Sequence, residues 1–113
     1  MIRPLETVQD AERVLELSRT ELVVIYKHSP ICSISETAID EIAEFAGQAK
    51  DTLSLFMVDV IGARPASLKI EELTGVRHES PQLLVLVEGA AVWNTSHRRI
   101  NAPDLLAQVR SLS

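Results

Sequence analysis

The residues best suited to chemistry lie in "KHSPICSIS", Lys27 to Ser35, which holds the only cysteine of this 113-residue chain. A thiolate is a nucleophile and a metal ligand, whereas a thiol in apolar surroundings is inert. What Cys32 can do is therefore set by where the chain puts it. "ELVVIY" just ahead reads as a buried strand and the following residues as a helix, so Cys32 falls at a strand-to-helix junction. Unpaired N–H groups and the positive end of the helix dipole at such a place favour a thiolate. Lys27 and His28 are expected to add positive charge, and the hydroxyls of Ser33 and Ser35 to offer donors to the sulfur, with Glu36 and Asp40 opposing if they turn inward. The plain alternative is that a lone cysteine packs as a small hydrophobe. One cysteine cannot close an intrachain disulfide, and no Cys/His spacing reads as a zinc site.

The elements that must position Cys32 follow from spacing. "ETVQDAERVLELSR" reads as a helix, with Thr7 and Asp10 as a capping box and Val8, Ala11, Val14 and Leu15 on one face. The unbroken apolar run Leu22 to Tyr26 suits a central strand covered on both faces. From about Ile31 to Ala49 the stripe Ile34, Ala38, Ile42, Phe45 and Ala46 predicts a second amphipathic helix. "TLSLFMVDVI", from Thr52, predicts a strand, and "RPASLKIEELTG" a helix started by Pro65 and ended by Gly75. "PQLLVLVEGAAVWN" predicts a hairpin turning at Glu88-Gly89. "NAPDLLAQVRSLS" predicts a last helix to Ser113, capped by Asn101, with Pro103 in its first turn and Leu105, Leu106, Val109 and Leu112 inward.

The predicted order is α-β-α-β-α-β-β-α, with a short extra strand near Ile2. Helical crossovers make the early strands parallel and the hairpin adds antiparallel ones, giving an α/β fold with a mixed sheet covered on both faces. In such sheets ligands meet the carboxyl ends of the strands, where Cys32 stands. Pro81 precedes the hairpin, and the statistics of X-Pro bonds favour a trans Ser80-Pro81 bond.

Bulk properties narrow the function. The length suits one domain, residues 1–113, and the net charge of −5 gives no electrostatic case for a nucleic-acid partner. The one basic cluster, His97-Arg98-Arg99, reads first as a solvated surface feature, with contact to an anionic ligand as the alternative. No apolar run approaches the roughly 20 residues of a membrane span, and the amino terminus does not resemble a signal peptide. Together with the single thiol, this predicts a cytoplasmic location and no membrane partner.

The order of elements is similar to that of the thioredoxin-like fold. Within it, "KHS" before the cysteine, Ile34-Ser35 after it, "HESPQ", "VWN" and His97 closely resemble the monothiol bacilliredoxins of the bacillithiol system, over essentially the whole chain. The resemblance implies that Cys32 attacks mixed disulfides between proteins and bacillithiol or a similar low-molecular-weight thiol. It implies a cis Pro81 facing the thiol, a Ser80 backbone offered to the substrate, and Ser35 where dithiol relatives keep a resolving cysteine. No bound cofactor is implied; the low-molecular-weight thiol is a co-substrate, and the partners are S-thiolated client proteins. His28 is expected to tune the thiol or to serve edge structure, Trp93 to pack on the hairpin rather than to read a substrate, and His78 and Glu79 to line the site; His97 with Arg98 and Arg99 is placed as a surface feature, the alternative being contact with bacillithiol's carboxylates. The family's Cys-Pro-Ile-Ser is here Cys32-Ser33-Ile34-Ser35, so a donor replaces a preorganising proline in the first helical turn. Two other readings of the motif are a redox-inactive interaction module and, with a poorer fit of the surrounding residues, a carrier of iron–sulfur clusters like the monothiol glutaredoxins.

Overall fold

The computed structural model describes residues 2–49 and 53–112. Five strands form one sheet in the order β1-β3-β2-β4-β5, with β1 at Ile2–Pro4, β2 at Val23–His28, β3 at Ser54–Asp59, β4 at Gln82–Val87 and β5 at Ala90–Ser96. β1 and β2 run parallel to β3, and β4 runs antiparallel to β2 and β5. The helices are α1 (Val8–Leu17), α2 (Ser33–Gln48), α3 (Arg64–Thr74) and α4 (Ala102–Ser111), with a 3₁₀ turn at His97–Arg99 that periodicity did not reveal.

Successive strand residues point to opposite faces, and both faces here are apolar. Val24, Tyr26, Leu83 and Val85 pack against Ile42 and Phe45 of α2 and Leu105 and Val109 of α4. Val23, Ile25, Leu84 and Leu86 pack against Val14 of α1 and Ile70 of α3. That double burial is why "LVVIY" shows no alternation. Truncating Phe45, which is wholly buried, would cost about 3–5 kcal/mol by the usual cavity penalty.

Local chemistry sets the boundaries. Thr7 Oγ1 accepts from Asp10 N at 3.0 Å while Asp10 accepts from Thr7 N at 3.1 Å, a complete capping box at α1. Asn101 accepts from Asp104 N at 2.9 Å to cap α4, and Glu41 of α2 accepts from Ala102 N at 2.8 Å, fastening α4 to α2. Gly75, at φ 73°, ends α3 in the left-handed region that glycine enters without steric cost. Glu88 and Gly89, at φ 52° and 79°, make the hairpin turn.

Two expectations need correction. The second helix begins at Ser33 rather than near Ile31, because Ser29 O accepts from Cys32 N at 3.2 Å in a turn that leaves Ile31 85% exposed. Leu112, expected inward, is 40% exposed because it is the C-cap residue, past the last turn that α4 lays on the sheet. The Ser80-Pro81 bond is cis, as the family resemblance implies and not as bare X-Pro statistics favour; Pro81 is buried and its carbonyl accepts from His97 N at 2.9 Å. The expected ends at Thr52 and Ser113 lie outside the described residues.

Candidate functional site

Cys32 stands at the carboxyl end of β2 as the N-cap residue of α2, half-buried and with extended backbone. The chain reaches this position through the Ser29–Cys32 turn, with Pro30 at the position whose fixed φ suits such a turn. Cys32 O then accepts from Ser35 N at 3.0 Å, which starts the helix. No side chain caps α2, so its amino-terminal N–H groups have no side-chain partner at the residue that carries the sulfur. The alternative in which the thiol is packed away as a small hydrophobe does not describe this geometry.

Ser35 is wholly buried beneath the thiol's turn. Its Oγ accepts from Ser29 N at 3.2 Å, and its carbonyl accepts from the Tyr26 hydroxyl at 3.3 Å. The same hydroxyl lies 3.0 Å from His28 Nδ1, whose ring packs at 5.6 Å from that of Tyr26. Tyr26, His28, Ser29 and Ser35 therefore form one polar cluster that joins the end of β2 to the first turn of α2. Burial pushes the Tyr26 phenol up to about 12; Ser35 works against this, and negative charge at Cys32 adds to it. Ser33, one residue beyond the thiol, is exposed. No hydrogen bond joins the hydroxyl of Ser33 or Ser35 to the sulfur: Ser33 faces out and Ser35 is engaged below.

Lys27 also departs from expectation. Alternation along β2 turns it to the face opposite Tyr26, where it is wholly buried and its Nζ lies 2.9 Å from His78 Nδ1. Ser67 Oγ lies 3.3 Å from the same nitrogen, and Glu71 of α3 accepts from His78 N at 2.5 Å. Burial lowers the Lys27 ammonium to about 8, although Glu71 pulls the other way. Burial and then the Lys27 charge hold His78 below the ordinary imidazole range. The signal for this cluster was present as a lysine directly after five apolar residues of a doubly covered strand.

His78 belongs to the segment that leads to Pro81. Gln82, wholly buried, donates to Arg77 O at 2.8 Å and accepts from Glu79 N at 3.4 Å, holding that segment against β4. Ser80 Oγ is buried with no partner. His97 N, bonded to Pro81 O, ties in the basic 3₁₀ turn. Trp93 packs partly buried against the α2/α4 core, in line with a structural role on the hairpin. Among the described residues no three His, Cys, Asp or Glu side chains converge as a metal cluster, and no helix is long and apolar enough to cross a membrane.

Comparison with known proteins agrees with this architecture. A solved structure described as a candidate oxidoreductase with a thioredoxin fold is 33% identical, with 96% of this chain and 93% of that one aligned at a TM-score of 0.84. Thioredoxins from Fasciola hepatica (18% identity, 98% of this chain and 99% of that one, TM-score 0.77) and Malassezia sympodialis (14%, 98% and 90%, TM-score 0.78) share the fold. The family model described as "Monothiol bacilliredoxin BrxC" matches residues 3–105. With its single thiol at a thioredoxin-fold helix start, the chain belongs to the monothiol bacilliredoxin family of thiol oxidoreductases.

Proposed function

We propose that Cys32 removes bacillithiol, or a similar low-molecular-weight thiol, from protein mixed disulfides. The observation that carries this reading is the half-buried thiol at the N-cap of α2, with a buried serine and not a second cysteine three residues on. The Cys32 thiolate attacks the bacillithiol sulfur, a new S–S bond forms as the old one breaks, and the client leaves as a thiolate that takes a proton. One disulfide replaces another, so no outside oxidant or reductant is consumed in this step. With Ser35 unable to attack, an external thiol must then release bacillithiol from Cys32 and restore the free thiol.

The Ser80 backbone, in the segment that leads through the cis Pro81 into β4, would pair with the client's chain in the manner of an added strand. The cluster of Tyr26, His28 and Ser35 holds the first turn of α2 in register with β2 while the sulfur changes partners. Ser33 gives that turn a backbone N–H where the family proline has none. A reducing cytoplasm, where thiols are maintained and mixed disulfides are lesions to be reversed, suits this chemistry.

Intact-protein mass spectrometry of a bacillithiolated model protein mixed with this chain tests the reading. Transfer of the adduct to the parent chain but not to Cys32→Ser is the expected result. Absence of transfer to a parent chain whose Cys32 is reduced and alkylatable would refute it.

A further inference from the structure

The basic turn after β5 borders a groove that begins one residue from the thiol. A depression of about 450 Å³ lies between Ser33, Ile34 and Thr37 of α2 and His97 and Arg98 of the 3₁₀ turn. A second, of about 390 Å³, shares Ile34, His97 and Arg98 with the first and continues to Arg99 and Glu79. We propose that this groove is the binding site for the carboxylate end of the low-molecular-weight thiol, with Arg98 as its main contact and His97 and Arg99 alongside. The inference rests on the reading of Cys32 as the exchanging thiol and adds the place and charge of its small substrate.

Four observations support the assignment. The volume is that of a small-molecule site rather than of a flat protein contact. Ser33, the residue that follows Cys32, lines the groove, so the groove starts at the first turn of the helix that the thiol begins. Arg98 and Arg99 form no ion pair with any described residue, and three adjacent basic side chains at one turn favour an anion among them. Finally, His97 has φ 54°, a left-handed conformation unfavourable for a non-glycine residue, and its N–H is held by Pro81 O at 2.9 Å. The basic turn is thus fastened to the proline that immediately precedes β4.

Glu36 and Glu79 stand on the borders of the two depressions. They disfavour a simple polyanion and suit a ligand that also carries an ammonium group. The chemical class is therefore a zwitterionic thiol with carboxylates at the end remote from its sulfur.

Kinetics with two small disulfides test the assignment. Cys32 thiolate attacks either disulfide, forming one S–S bond, breaking another and releasing one thiolate that is protonated by solvent. Rate constants are measured for bacillithiol disulfide and for uncharged 2-hydroxyethyl disulfide, in the parent chain, Arg98→Ala and Arg98→Lys. The charged-to-uncharged ratio is expected to fall about fivefold in Arg98→Ala, to recover partly in Arg98→Lys, and to shrink with added salt in the parent. An unchanged ratio in Arg98→Ala, with both disulfides still reacting at Cys32, overturns the groove assignment and leaves the exchange reading standing. No reaction with either disulfide at an alkylatable Cys32 overturns both. Slower transfer from an acidic bacillithiolated peptide, with the small-disulfide ratio unchanged, would give the groove to the client instead.

Discussion

Lys27 Nζ and His78 Nδ1 lie 2.9 Å apart, the lysine wholly buried at the end of β2 and the histidine in the segment that leads to Pro81. Two cations cannot share such a contact, so a charged Lys27 requires Nδ1 to be an unprotonated acceptor. Glu71 is the carboxylate that faces both, and it also accepts the His78 backbone N–H. The pair joins the central strand to the proline segment on the face away from the thiol.

This pair predicts how stability responds to pH. Lys27 falls from 10.5 to about 8 on folding, so between those values the unfolded chain binds more protons and stability rises with pH. The gain from about pH 8 to 10 is on the order of 2 kcal/mol. Above about pH 10 the rise is opposed, because the Tyr26 phenol goes from 10.0 to about 12 on folding and the unfolded chain ionises first. His78 is also lowered, so stability falls again as pH drops through about 6.5. Guanidinium unfolding of the parent and Lys27→Met from neutral to alkaline pH measures this. An equal slope in both proteins would show that Lys27 is not its source.

Ser35→Cys should convert the monothiol exchanger into one that resolves its own adduct. A second thiol at this position can attack the Cys32 mixed disulfide and expel the small thiol, with loss of two hydrogens from the chain. Mass spectra should then show an internal disulfide in place of a persistent bacillithiol adduct. Because Ser35 Oγ is the acceptor for Ser29 N in a buried setting, the companion Ser35→Ala should lose about 1–3 kcal/mol of stability. A persistent adduct on a folded Ser35→Cys protein would mean that the buried side chain cannot turn to the sulfur.

Gly75→Ala should destabilise by about 1–2 kcal/mol, with thiol exchange intact. No atom lies within 4 Å of the added Cβ, so the cost is conformational and arises from φ 73° alone. Denaturation midpoints at constant m-value check this, and an unchanged midpoint would mean that the end of α3 relaxes out of the left-handed region.

Much of the fold was legible because its signals are local. Thr7 with Asp10, Pro65 with Gly75, and Glu88 with Gly89 specify caps and a turn through atoms only a few residues apart, and all three appear where spacing puts them. The apolar run before Lys27 specified a doubly covered strand because burial on two faces removes alternation. The bulge between Val85 and Leu86 and the 3₁₀ turn at His97 left no such mark, since both arise from how β5 meets its neighbours.

The order of residues by itself determined that a lone cysteine would begin a helix at the end of a central strand, and that no second thiol could resolve it. Those are consequences of composition, periodicity and short-range hydrogen bonding. Tertiary structure alone decided that Lys27 would turn away from the sulfur and meet His78, fifty-one positions later. It alone decided that Ser35 would be engaged below the turn with Ser29 and that His97 and Arg98 would wall a groove beside Ser33. Each of these depends on which strands become neighbours and in what register, and that choice is settled by the burial of both sheet faces together.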